Sequence, residues 1–119
     1  MLYTSSLSTF KRTKKELKPY YVMPNYGHEA VVPDQSDLEQ FVNGIMTWQG
    51  FKLNYLAKLM NPEAEEWMKR VANEAVSQDV VLVTDEEEAE NRYRALLAEM
   101  ILNMFSGQIK IRYAGELKP

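Results

Sequence analysis

The sequence predicts an α+β domain: three helices packed on a small mixed sheet, preceded by an extended basic N-terminal arm. Three observations carry that expectation. From residue 34 onward, apolar residues recur at helical spacing in three separate runs. Two short stretches, DVVLVT and QIKIRY, show the β-branched or alternating character of strands. Residues 1–33 have no helical period and are punctuated by Pro19, Pro24 and Pro33. The expected organisation is an extended, tyrosine-rich arm over 1–33 and a helical core domain over 34–119. A chain of 119 residues is long enough to bury such a core without a disulfide or metal staple.

The arm combines hydroxyls with positive charge. MLYTSSLSTFKRTKK has no acid before Glu16, a composition shared with organelle transit segments. Five bases against two acids give residues 1–33 a charge of about +3, and the rest of the chain carries about −6. Tyr20–Met23 and Ala30–Val32, each ahead of a proline, read as short extended pieces of the edge-strand type.

The first helix is expected from DQSDLEQF, with Ser36 as N-cap and Glu39 closing a capping box. Leu38, Phe41, Val42 and Ile45 follow at helical spacing. Gly44 and Gly50 weaken the rod, and TWQGF is the expected kink before Phe51, Tyr55, Leu56 and Leu59 resume the stripe. This helix is apolar on more than one side, as helices buried between subunits are. NPEAEEW opens the second helix: Asn61 caps it, Pro62 takes the first helical position, and acids fill the first turn. It should end near Ser77. DVVLVT follows as a buried strand.

The third helix is expected to open at Thr84, boxed by Glu87, with Glu88 and Glu90 paired at i,i+4 to Arg92 and Arg94. Tyr93, Leu96, Leu97, Met100, Ile101, Met104 and Phe105 make its apolar face, and Gly107 ends it. QIKIRY is the last strand, with one wet face, and AGELKP reads as a tail. The helix between the two strands is long enough for a parallel crossover, and an antiparallel pairing stays open as well.

Several chemistries are excluded. With no cysteine there is no disulfide, thiolate nucleophile or cysteine-ligated metal. The single histidine, His28, rules out multi-histidine metal sites. No serine has a nucleophile-elbow context, so His28 reads as a loop residue rather than a general base. The five glycines never cluster into a phosphate-binding loop. The acids of residues 85–90 lack the Glu-x-x-His pattern of di-iron bundles and the glycine of calcium loops. No catalytic residue, cofactor or metal is expected, and the chain is not expected to be an enzyme. No apolar run reaches membrane-span length, and the cysteine-free composition points to the cytoplasm.

The expected function is a non-enzymatic protein–protein interaction or assembly subunit, a small accessory protein of the phage or mobile-element kind. It would meet a protein partner or further copies of itself. The expected contacts are Lys11, Arg12, Lys14, Lys15, Lys18, Tyr20, Tyr21 and Tyr26 of the arm, and Trp48 of the first helix. Asp85 and Glu86, which lack a partner within the helix, join them as a landing place for basic residues. Two alternatives stay open. In one, the arm binds nucleic acid, its bases meeting phosphates and its tyrosines stacking on nucleobases. In the other, the chain inhibits a larger host enzyme or complex.

Overall fold

The protein is described by a computed structural model over residues 1–86 and 91–118. The elements run β1 (Leu2–Ser6), α1 (Leu7–Arg12), β2 (Lys18–Tyr21), α2 (Gln35–Val42), α3 (Trp48–Leu59), α4 (Pro62–Ser77), β3 (Val80–Thr84), α5 (Tyr93–Phe105) and β4 (Tyr113–Glu116). The strands form one sheet in the order β2-β3-β1-β4, and every neighbouring pair is parallel. The fold is therefore mixed α/β, with five helices among the described residues and a parallel rather than mixed sheet.

The direction of each connection explains where the helices lie. The chain crosses from β1 to β2 toward one edge, whereas β2 to β3 and β3 to β4 run toward the other. Parallel crossovers are right-handed, so the first connection must cover the opposite face from the rest. The two cores follow that rule. Leu2, Val80 and Leu82 point into the main core with Tyr55, Met68, Val71, Leu97 and Ile101 of α3–α5. Tyr3, Val81, Val83 and Leu117 point the other way, against Leu7 and Phe10 of α1 and Leu17. Both faces of β3 are covered, which is why VVLVT is buried throughout.

Residues 1–33 are not an extended arm. β1 is an interior strand, paired with β3 on one side and β4 on the other, and buried along its whole length. Thr4, Ser5 and Ser6 give it none of the apolar run that a doubly covered strand normally shows. Ser6 caps α1, its hydroxyl accepting from the Thr9 N–H at 3.2 Å. That helix has six residues, too few for a period to be read from sequence. β2 is an edge strand, where Pro19 is tolerated. Ala30–Val32 is a turn rather than a strand, with the Val31 and Val32 N–H groups both donating to the His28 carbonyl. Two buried tyrosines hold the loop after β2: Tyr93 Oη donates to the Val22 carbonyl and Tyr55 Oη to the Val31 carbonyl, each at 2.6 Å. Gly27 lets that loop fold back, since a Cβ there would lie 2.7 Å from both the Tyr21 carbonyl oxygen and Val32 Cγ2.

The expected first helix is two helices. Asp34, not Ser36, is the N-cap of α2, and the Ser36 hydroxyl instead accepts from Gln40 Nε2 at 3.2 Å. The break lies upstream of the expected kink: Gly44 takes a φ of 76°, and Thr47 caps α3 by accepting from the Gly50 N–H at 3.1 Å. α4 forms as expected, with Asn61 Oδ1 accepting from the Ala64 N–H at 2.9 Å. The third helix does not begin at Thr84, which is the last residue of β3; α5 opens at Tyr93. Glu87, Glu88 and Glu90, assigned to its cap and ion pairs, lie outside the described residues. The last strand is shifted: β4 starts at Tyr113, the final residue of QIKIRY, and runs on to Glu116 in the segment read as a tail.

The burial of β1 separates a central strand from an arm by experiment. Leu2→Ala is expected to cost about 2–5 kcal/mol in urea unfolding, as a large-to-small change in a packed core. Ser8→Ala, on the exposed side of α1, should shift stability by less than about 0.5 kcal/mol.

Candidate functional site

Open parallel sheets bind ligands outside the carboxyl ends of their strands, at the point where the connections change direction. β1 and β3 are neighbours whose connections leave in opposite directions, so the change of direction lies between them. Two structures occupy their carboxyl ends, a buried knot of charges and an apolar cleft beside it.

The knot is centred on Arg94, whose side chain has no exposure to solvent. Its Nη2 donates to Glu116 Oε1 at 2.7 Å, and Nε donates to both carboxylate oxygens of Glu116 at 3.2 and 3.0 Å. Nη1 donates to Thr84 Oγ1 at 2.9 Å and to the Glu86 carbonyl at 3.0 Å. Thr4 Oγ1 also donates to Glu116, and Arg92 lies 3.6 Å from it. One arginine thereby ties α5 to the ends of β3 and β4, with β1 attached through Thr4. Burial acts to raise the Glu116 pKa, but hydrogen bonds from Arg94 and Thr4 and the charges of Arg94 and Arg92 outweigh it. The carboxyl is held below its ordinary value.

Glu86 caps α5 from seven residues upstream. Its Oε2 accepts from the Tyr93 N–H at 2.6 Å, and Oε1 accepts from the Arg94 N–H at 3.2 Å and Thr84 Oγ1 at 2.9 Å. It supplies what Arg92, at the N-cap position, does not. Burial raises the Glu86 pKa despite those donors and the Arg94 charge. This is the partner that the sequence pattern left unassigned.

The cleft has a volume of about 470 Å³ and lies between α2 and the carboxyl ends of β2 and β3. Pro24, Leu38, Val42 and Tyr93 line it with apolar surface, and Glu39, Asp85 and Glu86 add carboxylates. Val42 is 77% exposed, and Ile45, Leu53 and Met60 further along the same segment are 74%, 60% and 72% exposed.

The residues expected at contacts do not form one surface. Arg12, Lys14 and Lys15 meet beside β4 in a second cleft, on the α1 face of the sheet. Lys11 is exposed on α1. Lys18 pairs with Glu74 of α4. Tyr20 points to the main core and packs edge-on against Trp67, with centroids 5.6 Å apart. Tyr21, its neighbour on β2, meets Phe10 of α1 instead. Tyr26 is exposed in the loop after β2. Trp48 stacks on Phe51 within an aromatic cluster that includes Phe41. Asp85 is exposed at the apolar cleft, while Glu86 is spent on α5. His28 braces its own turn, Nδ1 accepting from the Ala30 N–H at 3.2 Å.

Sequence reasoning missed Arg94 and Glu116. A signal for Arg94 was present: it stands three residues before Leu97 and seven before Ile101, on the buried side of α5. Glu116 had none, because no pattern in YAGE marks a strand. Among the described residues no group of three His, Asp or Glu is placed to hold a metal ion, and no helix is long and apolar enough to cross a membrane.

Residues 5–101 match the model of the family described as domain of unknown function DUF488. No curated protein and no solved structure matches the chain.

Glu116→Gln should cost about 3 kcal/mol, because it strands a buried guanidinium. The pH dependence has a definite sign. With its folded pKa below the unfolded value, Glu116 contributes stability above the ordinary carboxylate range and loses it as pH falls through the folded value. Glu86, with its pKa raised, contributes below its unfolded value and loses that contribution as pH rises through the folded one. Melting curves between neutral pH and about pH 3 should therefore show a shallower acid-side decline in Glu116→Gln than in the wild type.

Proposed function

The chain belongs to the DUF488 family, and we propose that it acts as a non-enzymatic interaction subunit. It binds a protein partner, or a further copy of itself, through the α2–α3 segment and the acid-lined cleft beside it. The observation that carries this reading is the exposure of Val42, Ile45, Leu53 and Met60 within one short segment. α3 already buries Phe51, Tyr55 and Leu59 on its inner side. Leu53 and Met60, seven residues apart, share a second side that folding leaves in water. A cluster of large exposed apolar residues marks an interaction surface more often than an isolated one does. Removing such area from water on association supplies about 25 cal/mol per Å².

The carboxylates at the cleft define the partner further. Glu39 and Asp85 stand beside Leu38 and Val42, so the complementary surface is an apolar anchor flanked by Lys or Arg. The non-enzymatic part of the reading rests on how the carboxyl edge spends its polar groups. Arg94, Glu116 and Thr84 are bonded to one another, and Glu86, though it lines the cleft, accepts from Thr84 and the start of α5.

Sedimentation velocity and tagged purification from the native cell test the proposal. The wild-type chain should self-associate or retain a stoichiometric protein partner. Val42→Asp with Ile45→Asp should weaken that association about tenfold or more, with the melting temperature unchanged. A monomer at high concentration that retains no partner would overturn the reading.

A further inference from the structure

We propose that the cleft between the α1–β2 loop and β4 binds small oligophosphates, meaning the phosphate chain of a nucleotide or an inorganic polyphosphate. The cleft has a volume of about 590 Å³, and Arg12, Lys14, Lys15 and Lys118 line it together with Tyr3 and Glu116. Among the described residues, none of these four bases forms an ion pair, whereas Lys18 and Lys58 do. Lys15 is held in place: its Nζ donates to Tyr3 Oη and lies 4.7 Å from that ring's centroid. Glu116, the lining carboxylate, is committed to Arg94 and Thr4. Four bases thus line one cleft, and among the described residues Glu116 is the only carboxylate that lines it with them.

The ligand is small and multiply charged. A single phosphate brings fewer negative charges than the cleft has bases, whereas a chain of two or three phosphates brings a comparable number. A nucleic-acid strand needs a basic track with aromatic platforms along it. Here the charge does not continue along the chain, because Lys18 is taken by Glu74 and Tyr20 faces the other side of the sheet. The site is independent of the α2–α3 surface, since it lies on the face that α1 covers.

Isothermal titration with inorganic tripolyphosphate, and separately with adenosine triphosphate, tests this at low salt. The wild type should bind at least one of them saturably at one site. If only the nucleotide binds, the base contributes; if both bind alike, the phosphate chain suffices. Arg12→Ser with Lys14→Ser removes two exposed bases and should weaken binding about tenfold or more. Lys69→Ser with Arg70→Ser removes the same charge from the exposed side of α4 and should change it less than about threefold. Three results would overturn the proposal. These are no saturable binding, equal weakening by the two double variants, or a single-stranded oligonucleotide that binds more than about tenfold tighter than either phosphate ligand.

Discussion

The Arg94 guanidinium meets the Glu116 carboxylate in a bidentate pair with solvent excluded from the arginine, while Thr84 and the Glu86 carbonyl take its other donors. A buried charge of this kind persists only where its partners are complete. That requirement positions the carboxyl edge of the sheet. β4 is a four-residue edge strand containing Gly115 at a φ of 79°, with little apolar surface of its own. Its register with β1 shifts between Leu2 and Tyr3, and beyond that shift it is held by Glu116, opposite Thr4, with help from Leu117 in the smaller core. α5 is aimed by the same residue, and its first turn is closed by Glu86, which Thr84 orients.

A consequence follows for function. The edge where parallel sheets ordinarily offer polar groups to a ligand has used them internally. What stays available there is apolar surface, Leu38 and Val42 on α2, with carboxylates beside it. The opposite chemistry sits on the other face of the sheet, where the bases after α1 gather next to β4. Glu116 stands between the two, a member of the knot that also lines the basic cleft. Its neutralisation by Arg94 is what leaves the surrounding lysines uncompensated.

Much of the fold was legible where local pattern and tertiary role agree. α4 was readable from its cap, its proline and an unbroken apolar stripe, and β3 from a β-branched run buried on both faces. The parts that were not legible are those in which burial is achieved without hydrophobicity. β1 is interior, yet four of its five residues carry hydroxyls, so its pattern resembles solvated chain. The start of α5 was misplaced because an acid run after Thr84 resembles a helix opening; in the fold, Thr84 closes a strand and Glu86 acts as a cap at a distance. The knot itself joins Thr4 to a residue 112 positions away, and no local spacing encodes such a pair.

The basic N-terminal segment differs from an arm for the same physical reason: its charge is present, but strand geometry distributes it. Composition averages over a stretch of chain, whereas a strand divides its side chains between two faces. Tyr20 and Tyr21 are adjacent in sequence, but one packs on Trp67 in the main core and the other on Phe10 across the sheet. Lys15 and Lys18 are separated likewise, the first over Tyr3 and the second drawn to Glu74. A free arm would present all of these groups to one ligand. Folding instead sorts them, sending part of the segment to the core and concentrating Arg12, Lys14 and Lys15 beside β4. The charge asymmetry of the chain thereby becomes a local site rather than a flexible tether.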